Sequence, residues 1–483
     1  MRVSISFPPL ESSKSVPLLT QNRQFQWFNE PTYIYPMVPA SAATLLDRNG
    51  YEVLWDDGIA EGLSLSQWLS RLAKKSPDMI AIETKTPVVK RHWEIVKQVK
   101  HNLPDSKVVL MGDHVTALPE ESFKNSPVDF VITGGDYDFS LLSICDSLSG
   151  KGKLAPGVWY RESGNLRNTG KFRLDNDLNS IPLIDRDLTM WKLYSEKNGN
   201  YRKLPGSYVI AGRDCWYHKC TFCSWTTIFP TFRSRSPESL LEEVGILSNK
   251  YGVREIMDDS GTLPVGQWLE RFCNGMIERG YNKDVTMDCN MRFGAVSLEQ
   301  YRLMKMAGFR LLLFGLESGH QQTLDRVGKS LRVEEIIRSC KNAKKAGLEP
   351  HLTIMFGYPW ETRKEAQKTL DLGLYLLRKG YADTVQSTIV VPYPGTPLFK
   401  ECKEKNLLRT LDWDRYDMRE TVMKTPMPED EIQEMVQKIY RVAFNPEFIV
   451  RKVAGIRNVD DLRFMKRAGK KVIGHIRDFS GKG

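Results

Sequence analysis

Short apolar runs alternate with helix-patterned stretches along most of the chain. That rhythm narrows the fold to parallel sheets covered on both faces by helices. Between residues 1 and 150 strands are expected at 2–7, 52–56, 79–83, 107–111 and 129–132, and helices at 40–48, 65–75, 90–102 and 137–149. From about residue 201 the alternation restarts, with strands at 207–211, 255–258, 285–290, 310–316, 351–356 and 384–391, each leading into a helix or loop and helix. Six such units suffice for a partial (β/α)6 barrel. The chain therefore reads as α/β, with a Rossmann-like domain over 1–150, a polar linker and hairpin over 151–200, a barrel over 201–405 and a small helical region over 406–483. In both sheet types ligands sit on the loops that follow the strands, so residues just past strand ends are the ones that can meet a ligand.

A length of 483 residues exceeds what one hydrophobic core supports. No run of about 18 apolar residues occurs, so no membrane span is expected, and the first residues lack the charged and apolar regions of a secretory signal. Eight cysteines are too few for a disulfide scaffold. Cys145, Cys273, Cys289, Cys340 and Cys402 are scattered and read as small buried apolar residues, which fits a reducing cytoplasm. The net charge of +10 suits an anionic partner. The cations are spread, however, at helical spacing in 97–107 and 451–471 and without interleaved aromatics. Neither a nucleic-acid surface nor an amphipathic membrane-binding segment is expected.

The other three cysteines, Cys215, Cys220 and Cys223, stand within nine residues just past the strand at 207–211, spaced C-x4-C-x2-C. A structural zinc site takes four ligands, whereas three thiolates with no fourth cysteine nearby suit a [4Fe–4S] cluster whose fourth iron stays open to a small molecule. His218, inside the loop, could instead complete a Cys3His zinc site. Phe222 could pack against an adenine or shield the cluster. No GxGxxG is present, so a nicotinamide or flavin dinucleotide is not the favoured ligand.

Further motifs follow successive strands: Met257-Asp258-Asp259-Ser260, Arg292, Gly315-Leu316-Glu317-Ser318-Gly319, Gly357-Tyr358-Pro359-Trp360-Glu361-Thr362, and Pro392-Tyr393-Pro394-Gly395-Thr396-Pro397. In that order, behind the cysteine loop, they resemble the radical SAM superfamily. The resemblance covers roughly residues 30–450 and narrows to the branch with an N-terminal cobalamin-binding domain. One departure stands out: four residues, where the commonest signature has three, separate Cys215 from Cys220.

The resemblance implies three cofactors: a [4Fe–4S] cluster on the three cysteines, S-adenosyl-L-methionine on the open iron, and cobalamin on the first domain. It implies Asp259 and Ser260 near the amino or ribose groups of SAM, Glu317 hydrogen-bonding nearby, Arg292 on the SAM carboxylate, and Gly357 shaping the pocket. On the first domain it implies the loop Gly112-Asp113-His114-Val115-Thr116 and the turn Gly134-Gly135-Asp136, with Thr86 and Thr116 as partners for the cobalamin tail. The D-x-H-x-x-G signature is missing, so a histidine on cobalt is not implied; His114 is the one histidine in the right loop, as a cobalt ligand, a corrin contact or a structural residue.

The implied activity is C-methylation of an unactivated carbon through a 5′-deoxyadenosyl radical and methylcobalamin, with electrons from an external ferredoxin- or flavodoxin-type donor. The substrate in this branch is a protein or peptide side chain (such as a glutamine of methyl-coenzyme M reductase), a hopanoid-type lipid or a small metabolite. Two rivals are a non-methylating radical SAM cyclase and a non-enzymatic iron–sulfur or zinc protein that binds nucleic acid through its basic surface.

Overall fold

The computed structural model describes residues 1–10, 16–17, 27–28, 32–198 and 201–478. The first domain is built on a seven-stranded sheet. Its strands are β1 (Arg2–Phe7), β2 (Glu52–Asp57), β3 (Met79–Glu83), β4 (Lys107–Met111), β5 (Phe130–Ile132), β6 (Val158–Glu162) and β7 (Asn165–Asn168), in the spatial order β2-β1-β3-β4-β5-β6-β7. The first five are parallel. Every residue of β3 is buried, as a strand covered on both faces requires. The hairpin β6–β7 adds antiparallel to β5, so the hairpin expected in the linker extends this sheet.

A second sheet of six parallel strands forms the open barrel: β8 (Gly206–Val209), β9 (Glu255–Asp258), β10 (Thr286–Met291), β11 (Phe309–Glu317), β12 (Glu349–Phe356) and β13 (Thr384–Ile389), side by side in chain order. Helices Pro237–Asn249, Gln267–Glu278, Leu298–Met306, Val333–Lys345 and Arg363–Arg378 cover its outside. Two of them begin with a capping box, at Ser297 and Thr362, so the βα turns carry their own stop signals.

An open barrel leaves two strand edges to satisfy. At β13 the Tyr440 hydroxyl accepts from Ser387 N (2.7 Å) and donates to Ser387 O (2.9 Å), replacing a neighbouring strand. The last helix, Val459–Asp478, spans the gap: Arg467 donates to the Tyr201 carbonyl ahead of β8 (2.9 Å), while His475 stacks on Tyr440 beside β13. No described helix is long and apolar enough to cross a membrane.

The two sheets are fastened by buried charges. Arg213, just ahead of the cysteine loop, donates to Asp136 (3.1 Å) and Asp138 (3.0 Å) of the first domain, and Arg233 also reaches Asp136 (2.9 Å). Arg186 of the linker pairs with Glu243 (2.6 Å), donates to the Tyr208 carbonyl of β8 and lies over the ring of Tyr35. Gly135 fits this junction because a Cβ there would stand 2.1 Å from the Phe229 ring. The Gly134-Gly135-Asp136 turn is thus a domain contact.

Candidate active site

The loop from Cys215 to Cys223 is stitched to the strand ends on both sides. On one side Asp258 accepts from Ala211 N (2.7 Å), and Ser260 accepts from Gly212 N (2.9 Å) while donating to Asp258 (3.0 Å). Cys215 bridges to Thr262 through the backbone, with its sulfur 3.4 Å from the Thr262 hydroxyl, and Trp216 donates to the Leu263 carbonyl (3.1 Å). On the other side Thr221 N donates to Val327 O (3.0 Å) and Tyr217 donates to Gly328 O (2.5 Å). The extra residue has a place in this geometry. His218 takes a left-handed backbone (φ 35°), its ring exposed and turned onto the Trp216 carbonyl (3.1 Å), so the four-residue spacer bulges outward. His218 therefore folds back on its own loop instead of completing a zinc site.

All three cysteines line one cavity of about 1290 Å³ that runs the length of the barrel. Among the described residues no three His, Cys, Asp or Glu side chains converge tightly enough to hold a single ion. A cubane cluster takes each thiolate on a different iron, so its ligands need not meet at one point. Burial pushes the Cys220 thiol up, opposed by the Lys329 ammonium, and burial pushes Cys223 well up. Loading a cluster would release those protons. The remaining cysteines, Cys145, Cys273, Cys289, Cys340 and Cys402, are buried.

Beside the thiols the cavity is lined by Phe222, Asn290, Arg292, Glu317 and Lys329. Arg292 lies 3.8 Å over the Tyr217 ring, and its Nη2 donates to the carbonyls of Lys329 and Ser330. Its Nη1 is buried and without a partner, an open donor beside the cysteines. Glu317 ends β11 with a positive φ of 61°, and its carboxylate meets Lys329 Nζ at 3.0 Å. Gly315 permits this return, because a Cβ there would stand 2.2 Å from the Glu317 carboxylate. The G-L-E-S-G and G-Y-P-W-E-T segments are joined underneath, where Ser318 donates to Glu361 (2.9 Å).

Other expected contacts fall elsewhere. Asp259 and Ser260 are buried outside the cavity lining, and Ser260 spends its hydroxyl on the cysteine loop; Met257, Gly261 and Thr262 of the same segment face the cavity instead. Gly357 (φ 90°) is a turn packed against Ile389 and Ile432. Lys329 lies in no motif and Tyr217 is an unspecified spacer position between Cys215 and Cys220, so neither residue's role at the site has a signal in the sequence.

On the first domain, His114 has both ring nitrogens engaged, Nδ1 with Thr86 (3.2 Å) and Nε2 with Glu121 (3.0 Å), and sits between Trp93 and Trp413. It has no nitrogen left for cobalt. Thr116 donates to Gly112 O (2.7 Å) and accepts from Gly134 N (3.1 Å), so its hydroxyl, like that of Thr86, is already paired. Gly112 lets two strand ends pass, since a Cβ there would stand 1.9 Å from the Thr84 carbonyl.

The unsatisfied polar groups at this sheet edge are others. Both carboxylate oxygens of Glu83, at the end of β3, and the hydroxyl of Tyr137 are buried without partners. They are acceptors and a donor suited to the amide groups of a corrin, at the side of the sheet where such folds bind ligands.

Burial pushes the Glu83 carboxyl up to about 7, with Lys85 pulling it down and Asp113 and Asp259 adding to the rise. The unfolded chain releases this proton near the ordinary carboxylate value, and the folded chain keeps it to higher pH. The associated stability is complete at acid pH and is lost as pH rises through about 7. Glu83→Gln should therefore melt like the parent at pH 4 and above it at pH 8, by up to about 3 kcal/mol. Equal melting at both pH values would contradict this.

Three cysteines after the first strand of an open six-stranded barrel, beside a guanidinium and a carboxylate and joined to a parallel α/β domain, define an architecture for redox chemistry on a chelated small molecule. Residues 209–373 match the model of the Radical SAM superfamily. The chain is 28% identical over 415 residues to an uncharacterized methyltransferase of Pyrococcus horikoshii, covering 84% of this chain and 87% of that protein. It is 24% identical over 391 residues to the anaerobic magnesium-protoporphyrin IX monomethyl ester cyclase of Cereibacter sphaeroides, covering 78% and 62%. Among solved structures it resembles the cobalamin-dependent S-adenosylmethionine radical enzyme OxsB (TM-score 0.69, 16% identity, 98% of this chain and 71% of that one). It also resembles the radical S-adenosylmethionine methyltransferase TsrM from Kitasatospora setae (TM-score 0.65, 17% identity, 81% and 76%). Residues 209–373 thus carry the Radical SAM match, and the whole chain shares the fold of OxsB and TsrM, with an α/β domain ahead of the open barrel.

Proposed function

We propose that this chain is a cobalamin-dependent radical SAM methyltransferase that methylates an unactivated carbon. The observation that carries the reading is the cavity itself, where three thiols, the unpaired Arg292 Nη1 and the Glu317–Lys329 pair line one end. When bound, cluster and SAM supply a 5′-deoxyadenosyl radical and methylcobalamin supplies the methyl group.

The chain's own part is positioning. Cys215, Cys220 and Cys223 would hold the cluster, Arg292 the SAM carboxylate, and Glu317, fixed by Lys329, the SAM amino or ribose groups. Glu83 and Tyr137 would take amide groups of the corrin. The Arg213–Asp136–Asp138 latch holds the two cofactor-bearing domains in one register. Electrons would come from an external ferredoxin- or flavodoxin-type donor.

The substrates implied by the resemblance range from protein side chains to lipids; the far end of the cavity mixes apolar side chains such as Phe464 and Val472 with charged ones such as Arg202, Arg310 and Asp461, and selects none of these classes by itself. A non-methylating cyclase, the activity that names the Cereibacter sphaeroides relative, is separated by product mass. Anaerobic turnover with methyl-labelled SAM should yield a product heavier by one CH2 and carrying the label. Substrate consumption with no labelled methyl in the product would overturn methyl transfer and leave SAM cleavage standing.

A further inference from the structure

The last helix, Val459–Asp478, has two apolar stripes. One, through Phe464, Met465, Ala468 and Val472, lines the cavity. The other, Val459, Leu462 and Ile473 at helical spacing, faces outward and is exposed, with Lys466 and Lys470 in the same stripe and Arg463 beside it. The preceding helix, Pro446–Ala454, buries none of its side chains and leaves Ile449, Val450 and Val453 exposed, Val450 at 67%. With Phe444 these make seven of the fifteen large apolar side chains left exposed among the described residues, all within thirty positions. An even spread would put about one there, and a concentration of this kind marks an interaction surface.

Charge identifies the partner. Residues 441–478 hold ten Lys and Arg against four Asp and Glu, a net of +6 out of the chain's +10. Exposed apolar side chains interleaved with lysine and arginine on short helices suit the interface of an anionic bilayer, where the apolar groups enter the acyl boundary and the cations meet lipid phosphates. Phe444, Ile449 and Ile473 are both exposed and part of the cavity lining, so the cavity opens at this surface.

We propose that residues 444–473 dock the chain onto an anionic lipid bilayer, setting the cavity mouth, lined by both apolar and charged side chains, at the membrane so that an amphiphilic, membrane-resident substrate enters from it. The proposal departs from the expectation, drawn from the sequence, that the chain has no amphipathic membrane-binding segment. The substrate route rests on the catalytic reading above; the docking does not.

The test is flotation of the full-length protein with phosphatidylcholine vesicles, with and without phosphatidylglycerol, run without SAM or reductant. Binding is expected on the phosphatidylglycerol vesicles and should fall steeply with added salt. Replacing Arg463, Lys466 and Lys470 by glutamine together should weaken it roughly a hundredfold, at about fivefold per cation. Val453→Glu with Leu462→Glu should weaken it at least about tenfold. None of these five residues lines the cavity, so SAM cleavage in solution and the melting temperature should stay as in the parent.

Absence of flotation, flotation that these variants leave unchanged, or self-association that they abolish without vesicle binding would each overturn the proposal. A protein that floats but cannot cleave SAM would keep the docking surface and remove the catalytic reading. One that cleaves SAM but does not float would do the reverse.

Discussion

Cys220→Ala should lose the cluster and, with it, all reductive cleavage of SAM. A cubane held by three thiolates has no spare ligand, and the nearest cation, Lys329, cannot replace a sulfur. The loss should be catalytic and not a failure to fold. The loop is held by backbone and side-chain bonds that do not involve this thiol: Thr221 to Val327, Tyr217 to Gly328 and Ala211 to Asp258. The variant should therefore keep the melting behaviour of the cluster-free parent while its reconstituted form lacks iron and the brown iron–sulfur absorbance. Cys340→Ala, buried under a barrel helix, should keep both iron and cleavage, which separates the loop cysteines from the structural ones. Iron content and SAM cleavage equal to the parent in Cys220→Ala would contradict the assignment.

Arg213→Met should cost about 3–5 kcal/mol of stability, because removing one member of a buried ion pair strands the others in a poor dielectric. Arg213 and both carboxylates are almost fully buried. Burial works against ionisation of Asp136, yet Arg213 and Arg233 together hold its carboxyl below the usual range. After the substitution Asp136 keeps Arg233, while Asp138 keeps only Ser41 and its neighbouring backbone N–H. The second substitution Asp138→Asn should then recover a large part of the loss, since it removes the stranded charge. Denaturant titration of the two variants checks this. A single variant as stable as the parent, or no recovery in the double variant, would show that the latch carries little of the stability at the domain junction.

The fold was legible because its periods are strong. Apolar strands such as Met79–Glu83 and Glu349–Phe356 are bounded by helices whose buried residues recur at helical spacing, and both sheets stand where that pattern puts them. The cysteine loop was legible for a different reason, since three thiolates at close spacing have few structural uses. Single charged residues carry no such pattern. Lys329 meets Glu317 only because β11 bulges at Gly315, and Arg213 meets Asp138 across 75 residues of sequence. The polar segment around Asp259 was placed correctly on the chain, but strand pairing turns Ser260 toward the cysteine loop and presents Met257 and Thr262 to the cavity. His114 likewise stands just past the expected strand, but on the short helix Asp113–Ala117, where Thr86 and Glu121 already occupy its ring. Position along a strand end was readable; the direction of a side chain was set by partners far away in the sequence.

SAM cleavage should depend on all three loop cysteines. The decisive measurement is 5′-deoxyadenosine released during anaerobic incubation of the cluster-loaded protein with SAM and a strong reductant. The structure predicts release that requires the reductant and disappears in Cys215→Ala, Cys220→Ala and Cys223→Ala. A protein carrying its full cluster that releases none, or cysteine variants that release as much as the parent, would contradict it.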